Sequence, residues 1–268
     1  MLCKNPYRKG PQYYGCGQCQ NCRINRSREW IGRMLLESRE HPASSFWTLT
    51  YDSRYEGPLV LQKRHVQLFI KTVRNKLGKC RFYAVGEYGD KSWRPHYHVI
   101  LFGIGMEMYY KVASYWPFGF VHVGEVNPKT IQYICGYVVK KMTNSKDKRL
   151  QGRGPEFCLM SRKGGLGSRA VDRMATAYSS TRGKTALAEE GSVGNRFRVG
   201  GKCYPFGSYL KRRLSSTVGL DKEQISEYNQ AVFEKLWEEV RKIPLDVQAK
   251  QRAAKMMREY QRGKRGLL

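Results

Sequence analysis

Arg94-Pro95-His96-Tyr97-His98-Val99-Ile100-Leu101-Phe102 decides how this chain is read. Two histidines flank one aromatic residue and lead into an apolar run that stops at Gly103, the pattern of a buried β-strand entered from a proline-marked turn. Strand side chains alternate, so His96, His98 and Ile100 share one face and Tyr97 and Val99 take the other. The two imidazoles then stand about 7 Å apart on one surface. Such a pair suits a metal ion or a phosphate, and it is equally what two half-buried sheet histidines look like.

Working outward, Arg81-Phe82-Tyr83-Ala84-Val85-Gly86-Glu87-Tyr88 reads as the preceding strand, joined through the turn-like residues 89–93. A hairpin brings the end of one strand beside the start of the next, which puts Glu87 next to His96. One carboxylate and two imidazoles form a mixed-ligand set with open positions, suited to Mg²⁺ or Mn²⁺ holding a phosphodiester. Upstream, Ser45 to Asp52 alternates as a strand, with Thr48 and Thr50 on one face where two hydroxyls could contact phosphate. Downstream, Asn127-Pro128 opens a helix that runs to about Met142. Ile131, Ile134, Cys135, Val138 and Met142 cover its apolar side, while Tyr133, Tyr137, Lys140 and Lys141 gather on the other. Gly136 between the tyrosines costs helix stability and leaves room for a nucleic-acid strand to come close.

The composition points to a polyanion. The 268 residues include 49 Lys and Arg against 22 Asp and Glu, a net charge of +27, interleaved with 18 tyrosines and 5 tryptophans. Cations mixed with aromatic rings suit phosphates and unpaired bases. No apolar run approaches the roughly 18 residues of a membrane span, and the first residues do not form a signal peptide, so the expectation is a soluble cytosolic protein without a membrane partner. Its 8 cysteines are then thiols or metal ligands rather than disulfides. Cys3, Cys16, Cys19 and Cys22 are enough for a tetrahedral structural Zn²⁺ site, and free thiols are the other reading.

Elsewhere, Asn21–Glu40 and Leu61–Leu77 carry amphipathic helix patterns, Tyr109–Tyr115 suggests a short helix and Phe118–Val123 a strand with His122 as an ordinary sheet residue. From Thr143 to Thr185 the chain is rich in Gly, Ser, Lys and Arg and shows little apolar periodicity. Phe197–Tyr204 reads as a hairpin, and Asp221–Arg241 and Asp246–Arg262 as helices.

The order Phe46-Trp47-Thr48-Leu49-Thr50-Tyr51, then Glu87 with Arg94 to Phe102, then Tyr133-Ile134-Cys135-Gly136-Tyr137-Val138-Val139-Lys140 resembles the three motifs of the HUH endonucleases that start rolling-circle replication. The cysteine-rich start, the segment Pro155 to Arg162 and the length resemble more narrowly the initiators of small single-stranded DNA phages, the gokushovirus branch of the microviruses. The resemblance implies an α+β fold, an antiparallel sheet with helices on one side, ferredoxin- or RRM-like, followed by a helical basic C-terminal region. It divides the chain into a cysteine-containing segment and helix at 1–40, an endonuclease core at 41–145, basic Gly/Ser-rich loops and a hairpin at 146–220, and the helical region at 221–268. It implies His96, His98 and Glu87 as ligands of Mg²⁺ or Mn²⁺, Tyr133 and Tyr137 as nucleophiles, and Lys140 as their basic partner. Thr48, Thr50, Arg94 and Lys141 are the expected DNA contacts.

The implied activity is site-specific nicking of single-stranded or supercoiled phage DNA at a replication origin, through a 5′-phosphotyrosine link, with later rejoining to release circles. Host helicase and polymerase are the implied partners and the host bacterial cytoplasm the implied place. No P-loop is present, in keeping with strand transfer that stores bond energy in the covalent link. Plasmid initiators, relaxases and single-strand transposases use the same motifs, and a non-catalytic nucleic-acid-binding module would share the charge and the aromatics.

Overall fold

The computed structural model describes residues 3–10, 12–57, 59–89, 92–140 and 147–220, with isolated positions beyond, and leaves the side chains of Gln12 and of residues 138–140 undescribed. The expected helices at 221–241 and 246–262 lie outside the described residues, apart from single positions.

A short hairpin, β1 (Tyr7–Lys9) and β2 (Gln12–Tyr14), precedes helix α1 (Gln20–Ser38). Then come β3 (Ser44–Thr50), α2 (Lys63–Leu77), β4 (Arg81–Tyr88), β5 (Pro95–Phe102), α3 (Tyr109–Ala113), β6 (Val121–Glu125) and α4 (Pro128–Lys140). The chain continues through β7 (Phe157–Met160), α5 (Arg169–Tyr178), α6 (Thr181–Glu190), β8 (Arg196–Val199), β9 (Lys202–Pro205) and α7 (Gly207–Thr217). Five strands form one antiparallel sheet in the order β6-β3-β5-β4-β7. The expected α+β class and the β4–β5 hairpin are both present.

Helices cover both faces of the sheet, a correction to the one-sided packing the resemblance implied. Tyr97, Val99 and Leu101 of β5 meet Val66, Phe69, Ile70 and Val73 of α2, with Trp116 and Val112 beside them. On the opposite face Ile100 and Phe102 join Trp30, Met34 and Leu35 of α1 and Ile131, Ile134 and Cys135 of α4. A strand buried on both sides reads as nearly continuous apolar sequence, which is why β5 shows only its histidines as polar exceptions. The expected strand at 118–123 is shifted to 121–125. Phe118 and Phe120 still accept the amides of Asp52 and Thr50, and Gly119 lies so close to β3 that a Cβ there would collide with the Asp52 amide.

Residues 146–220, expected as loops and a hairpin, hold more structure than that. The hairpin is present as β8 and β9, but β7 also extends the main sheet, and Leu166, Ala170, Val171, Leu210 and Leu214 complete the core beneath α1. Two charged residues of α1 make this packing workable. Glu37 is fully buried, bonded to Arg81 and His41 and accepting from the Gly167 amide, and Arg33 donates to the Leu166 carbonyl at 3.0 Å while stacking on Trp30 and Tyr209. Buried charges persist where every polar contact is satisfied.

Candidate active site

Strand register assembles the site. On the face that looks toward α4, Thr48 lies opposite both His98 of β5 and His122 of β6, while one step along the strands His96 lies opposite both Thr50 and Glu87. The expected neighbour relation of Glu87 and His96 is therefore present in the backbone. The Glu87 side chain, however, leans diagonally: its Oε1 is 3.0 Å from Nε2 of His98.

His98 is 4% exposed and held from all sides. The Phe46 ring stacks on one side of it at 5.7 Å, the Tyr137 ring on the other at 5.2 Å, and Tyr133 meets it edge-on. Its Nδ1 is 3.2 Å from Thr48 Oγ1. A carboxylate can only accept, so Nε2 donates to Glu87 in the neutral ring and Nδ1 accepts the Thr48 hydroxyl proton. A cation on Nε2 would reverse this, with Nδ1–H donating to Thr48, because a hydroxyl serves in either sense. His96 is half-buried, and its Nδ1 lies 2.8 Å from the Arg94 carbonyl, which fixes the proton there and leaves Nε2 with its lone pair.

Helix α4 brings the tyrosines. Asn127 Oδ1 caps it by accepting from the Lys129 and Thr130 amides at 2.9 and 3.0 Å. Ile131, Ile134 and Cys135 turn into the core, and Tyr133, one-sided to them, stays 44% exposed. The Tyr137 hydroxyl donates to that of Tyr133, and Tyr133 Oη reaches 3.5 Å from His98 Nε2, the outer limit of a hydrogen bond. Burial first, then the bond to Tyr133 and the charge of Glu87, push the Tyr137 phenol well above its usual range. A Cβ on Gly136 would meet nothing within 4 Å, so this turn of the helix has the clearance its sequence suggested.

Together these side chains line a cleft of about 500 Å³, bounded by Phe46, Thr48, Glu87, Gly89, His96, His98, His122, Tyr133 and Tyr137. His122 belongs to this rim and is more than an ordinary sheet residue. Sequence reasoning misses it because a lone histidine in an edge strand carries no spacing signal, and misses Phe46 because strand alternation alone assigns it to packing. Thr48 contacts His98, where a phosphate contact was expected. Arg94 is turned the same way inward, with Nη2 on the Tyr51 carbonyl at 2.8 Å. Thr50 sits beside His96 in register but does not line the cleft. The Lys140 side chain and Lys141 lie outside what is described.

The donor set suits a hard divalent cation: two imidazoles and one carboxylate border one cleft, with the tautomer of His96 fixed by a backbone carbonyl. The three groups do not converge as tightly as a preformed closed site, since among the described residues ligand atoms within 4.8 Å of one another occur only in the cysteine group. Closing the set requires the Glu87–His98 hydrogen bond to open around the ion.

Residues 44–142 match the family model of the ORF2-type replication-associated proteins. The chain is 29% identical over 248 residues to the Replication-associated protein ORF4 of Chlamydia phage 1, covering 82% of this chain and 58% of that protein. It is 30% identical over 159 residues to the Replication-associated protein VP4 of Bdellovibrio phage phiMH2K, covering 50% of each. It is 29% identical over 177 residues to the Replication-associated protein ORF2 of Spiroplasma virus 4, covering 56% of this chain and 55% of that protein. The chain thus spans between half and three fifths of the length of these relatives. No solved structure matches. The resemblance read from the histidine strand and the tyrosine helix holds: through residues 44–142 the chain belongs to the ORF2-type family of replication-associated proteins.

Proposed function

We propose that this protein starts rolling-circle replication of phage DNA by nicking one strand at an origin and later rejoining the ends, in the host cytoplasm, with host helicase and polymerase working from the nick. The observation that carries this reading is the pair of tyrosine hydroxyls bonded to each other beside His98, in a cleft that His96 and Glu87 also line. A non-catalytic binding module has no use for that combination. When held by His96, His98 and Glu87, Mg²⁺ or Mn²⁺ supplies Lewis-acid polarisation of the scissile phosphate.

Tyr133 is the better first nucleophile, being the more exposed of the two and the acceptor of the Tyr137 hydrogen bond, which stabilises charge growing on its oxygen. Its oxygen bonds to phosphorus, the bond from phosphorus to the 3′ oxygen breaks, and the proton lost by the phenol is balanced by one gained at the 3′ oxygen. A 5′-phosphotyrosine and a free 3′-OH result. Tyr137, whose phenol is held protonated by its surroundings, acts second on the regenerated origin, one helical turn or about 5.4 Å away.

The test is covalent trapping on a single-stranded origin oligonucleotide followed by peptide mapping. Adducts on Tyr133 in the wild-type chain, on Tyr137 in Tyr133→Phe at a reduced rate, and on neither in the double variant are expected. Adducts confined to Tyr137, with circle formation intact in Tyr133→Phe, would overturn the order. Absence of any adduct, with binding retained, would overturn the chemistry.

A further inference from the structure

The four cysteines near the N-terminus come together in space. The Sγ atoms of Cys3, Cys16, Cys19 and Cys22 all lie within 4.8 Å of one another, and those of Cys3 and Cys19 are 3.8 Å apart. Four sulfurs arranged tetrahedrally about zinc, each about 2.3 Å from it, stand about 3.8 Å from one another. A disulfide needs a separation of about 2.05 Å. The observed spacing is that of the corners of a coordination tetrahedron.

The backbone is arranged to support thiolates. The Cys16 amide donates to Cys3 Sγ at 3.1 Å, the Cys19 amide to Cys16 Sγ at 3.3 Å and the Lys4 amide to Cys19 Sγ at 3.5 Å. Amides aimed at sulfur favour its ionised form. Cys19 caps α1 and Cys22 lies in its first turn, where the helix dipole favours negative charge. Two glycines make room: a Cβ on Gly15 would stand 3.1 Å from Cys22 Sγ, and Gly17, at φ +71°, carries the left-handed turn between Cys16 and Cys19.

The local fold also needs a staple. Strands β1 and β2 are three residues each, and their Tyr7 and Tyr14 rings stack at 5.7 Å while 53% and 40% exposed. A two-stranded hairpin with so little buried beneath it is marginal in water. We propose that Cys3, Cys16, Cys19 and Cys22 bind one Zn²⁺ as a closed four-thiolate site that pins the β1–β2 hairpin to the N-terminus of α1. Binding releases the thiol protons to solvent, and the resulting negative charge is compensated by a chain of net charge +27.

Zinc content is a readout independent of DNA cleavage, so this inference and the proposed function can fail separately. The full chain, expressed in zinc-supplemented medium and purified without chelator, is expected to carry about one zinc by elemental analysis. Cobalt in its place gives the intense visible absorption of tetrahedral thiolate coordination. Cys203→Ser, which changes an exposed cysteine elsewhere, keeps the metal, whereas the Cys16→Ser/Cys19→Ser variant loses it. Should that variant fail to fold, alkylation of the wild-type chain decides: Cys203 is labelled throughout, and Cys3, Cys16, Cys19 and Cys22 only after chelation. Zinc retained by the double variant, or all four cysteines alkylated without chelator in zinc-free protein, overturns the site.

Discussion

The cysteine group and the histidine cleft are built on opposite plans. Four soft donors of one kind converge within 4.8 Å at the start of α1, on short loops that leave no direction for a substrate. The cleft offers two imidazoles and a carboxylate from two neighbouring strands, one ligand pair still joined to each other, and two tyrosines from α4 above. Closed sets hold a fold together, and open ones leave positions for a reacting group. The comparison separates a metal that stabilises from a metal that reacts, and each half can be broken on its own.

The largest effect is expected in the cleft. His96→Ala/His98→Ala should lower cleavage by ~10³-fold, the scale of a lost Lewis acid, while salt-sensitive DNA binding persists. Full cleavage by that variant in Mn²⁺ would leave the open set without a role. Next comes Cys16→Ser/Cys19→Ser, which should lower the thermal midpoint by several degrees while its folded fraction still cuts. Loss of cleavage in a fully folded population would mean that the closed set takes part in the reaction. Thr48→Val should be milder, weakening the activating divalent ion by ~10-fold, the usual cost of losing an outer partner of a ligating histidine, and cleavage at saturating metal should return. A titration of rate against Mg²⁺ checks this. The smallest is Gly136→Ala, expected to stabilise α4 by about 0.5–1 kcal/mol yet weaken oligonucleotide binding if DNA uses the clearance there. Calorimetry and a binding isotherm on the same protein read both signs.

The hairpin, the histidine strand and the tyrosine helix are legible in the sequence because each depends on spacing within about twenty residues. Alternation places His96 and His98 on one face, and helical period separates Tyr133 from Ile131, Ile134 and Cys135. The diagonal reach of Glu87 to His98 is not legible, since register fixes backbone neighbours and leaves side-chain lean to the packing around it. The helices of residues 146–220 escape for a different reason. Their apolar residues are few, and the surface they bury against includes Arg33 and Glu37, which read as solvent-facing charges until the Leu166 carbonyl and Gly167 amide arrive to satisfy them.

That dependence sets a timetable for synthesis. Gly32 lets β8 and β9 lie directly on α1, where a Cβ would stand 2.8 Å from both Phe197 and Tyr204, and Arg28 donates to the carbonyl of Cys203, 175 residues later in the chain. At roughly 5–20 residues per second, a ribosome completes α1 roughly 9–35 s before its covering partner exists. During that interval the helix shows Trp30, Met34 and the buried pair Arg33 and Glu37 to water or to chaperones. A truncation that ends before residue 196 would make the exposure permanent, so fragments of the sheet core alone should aggregate.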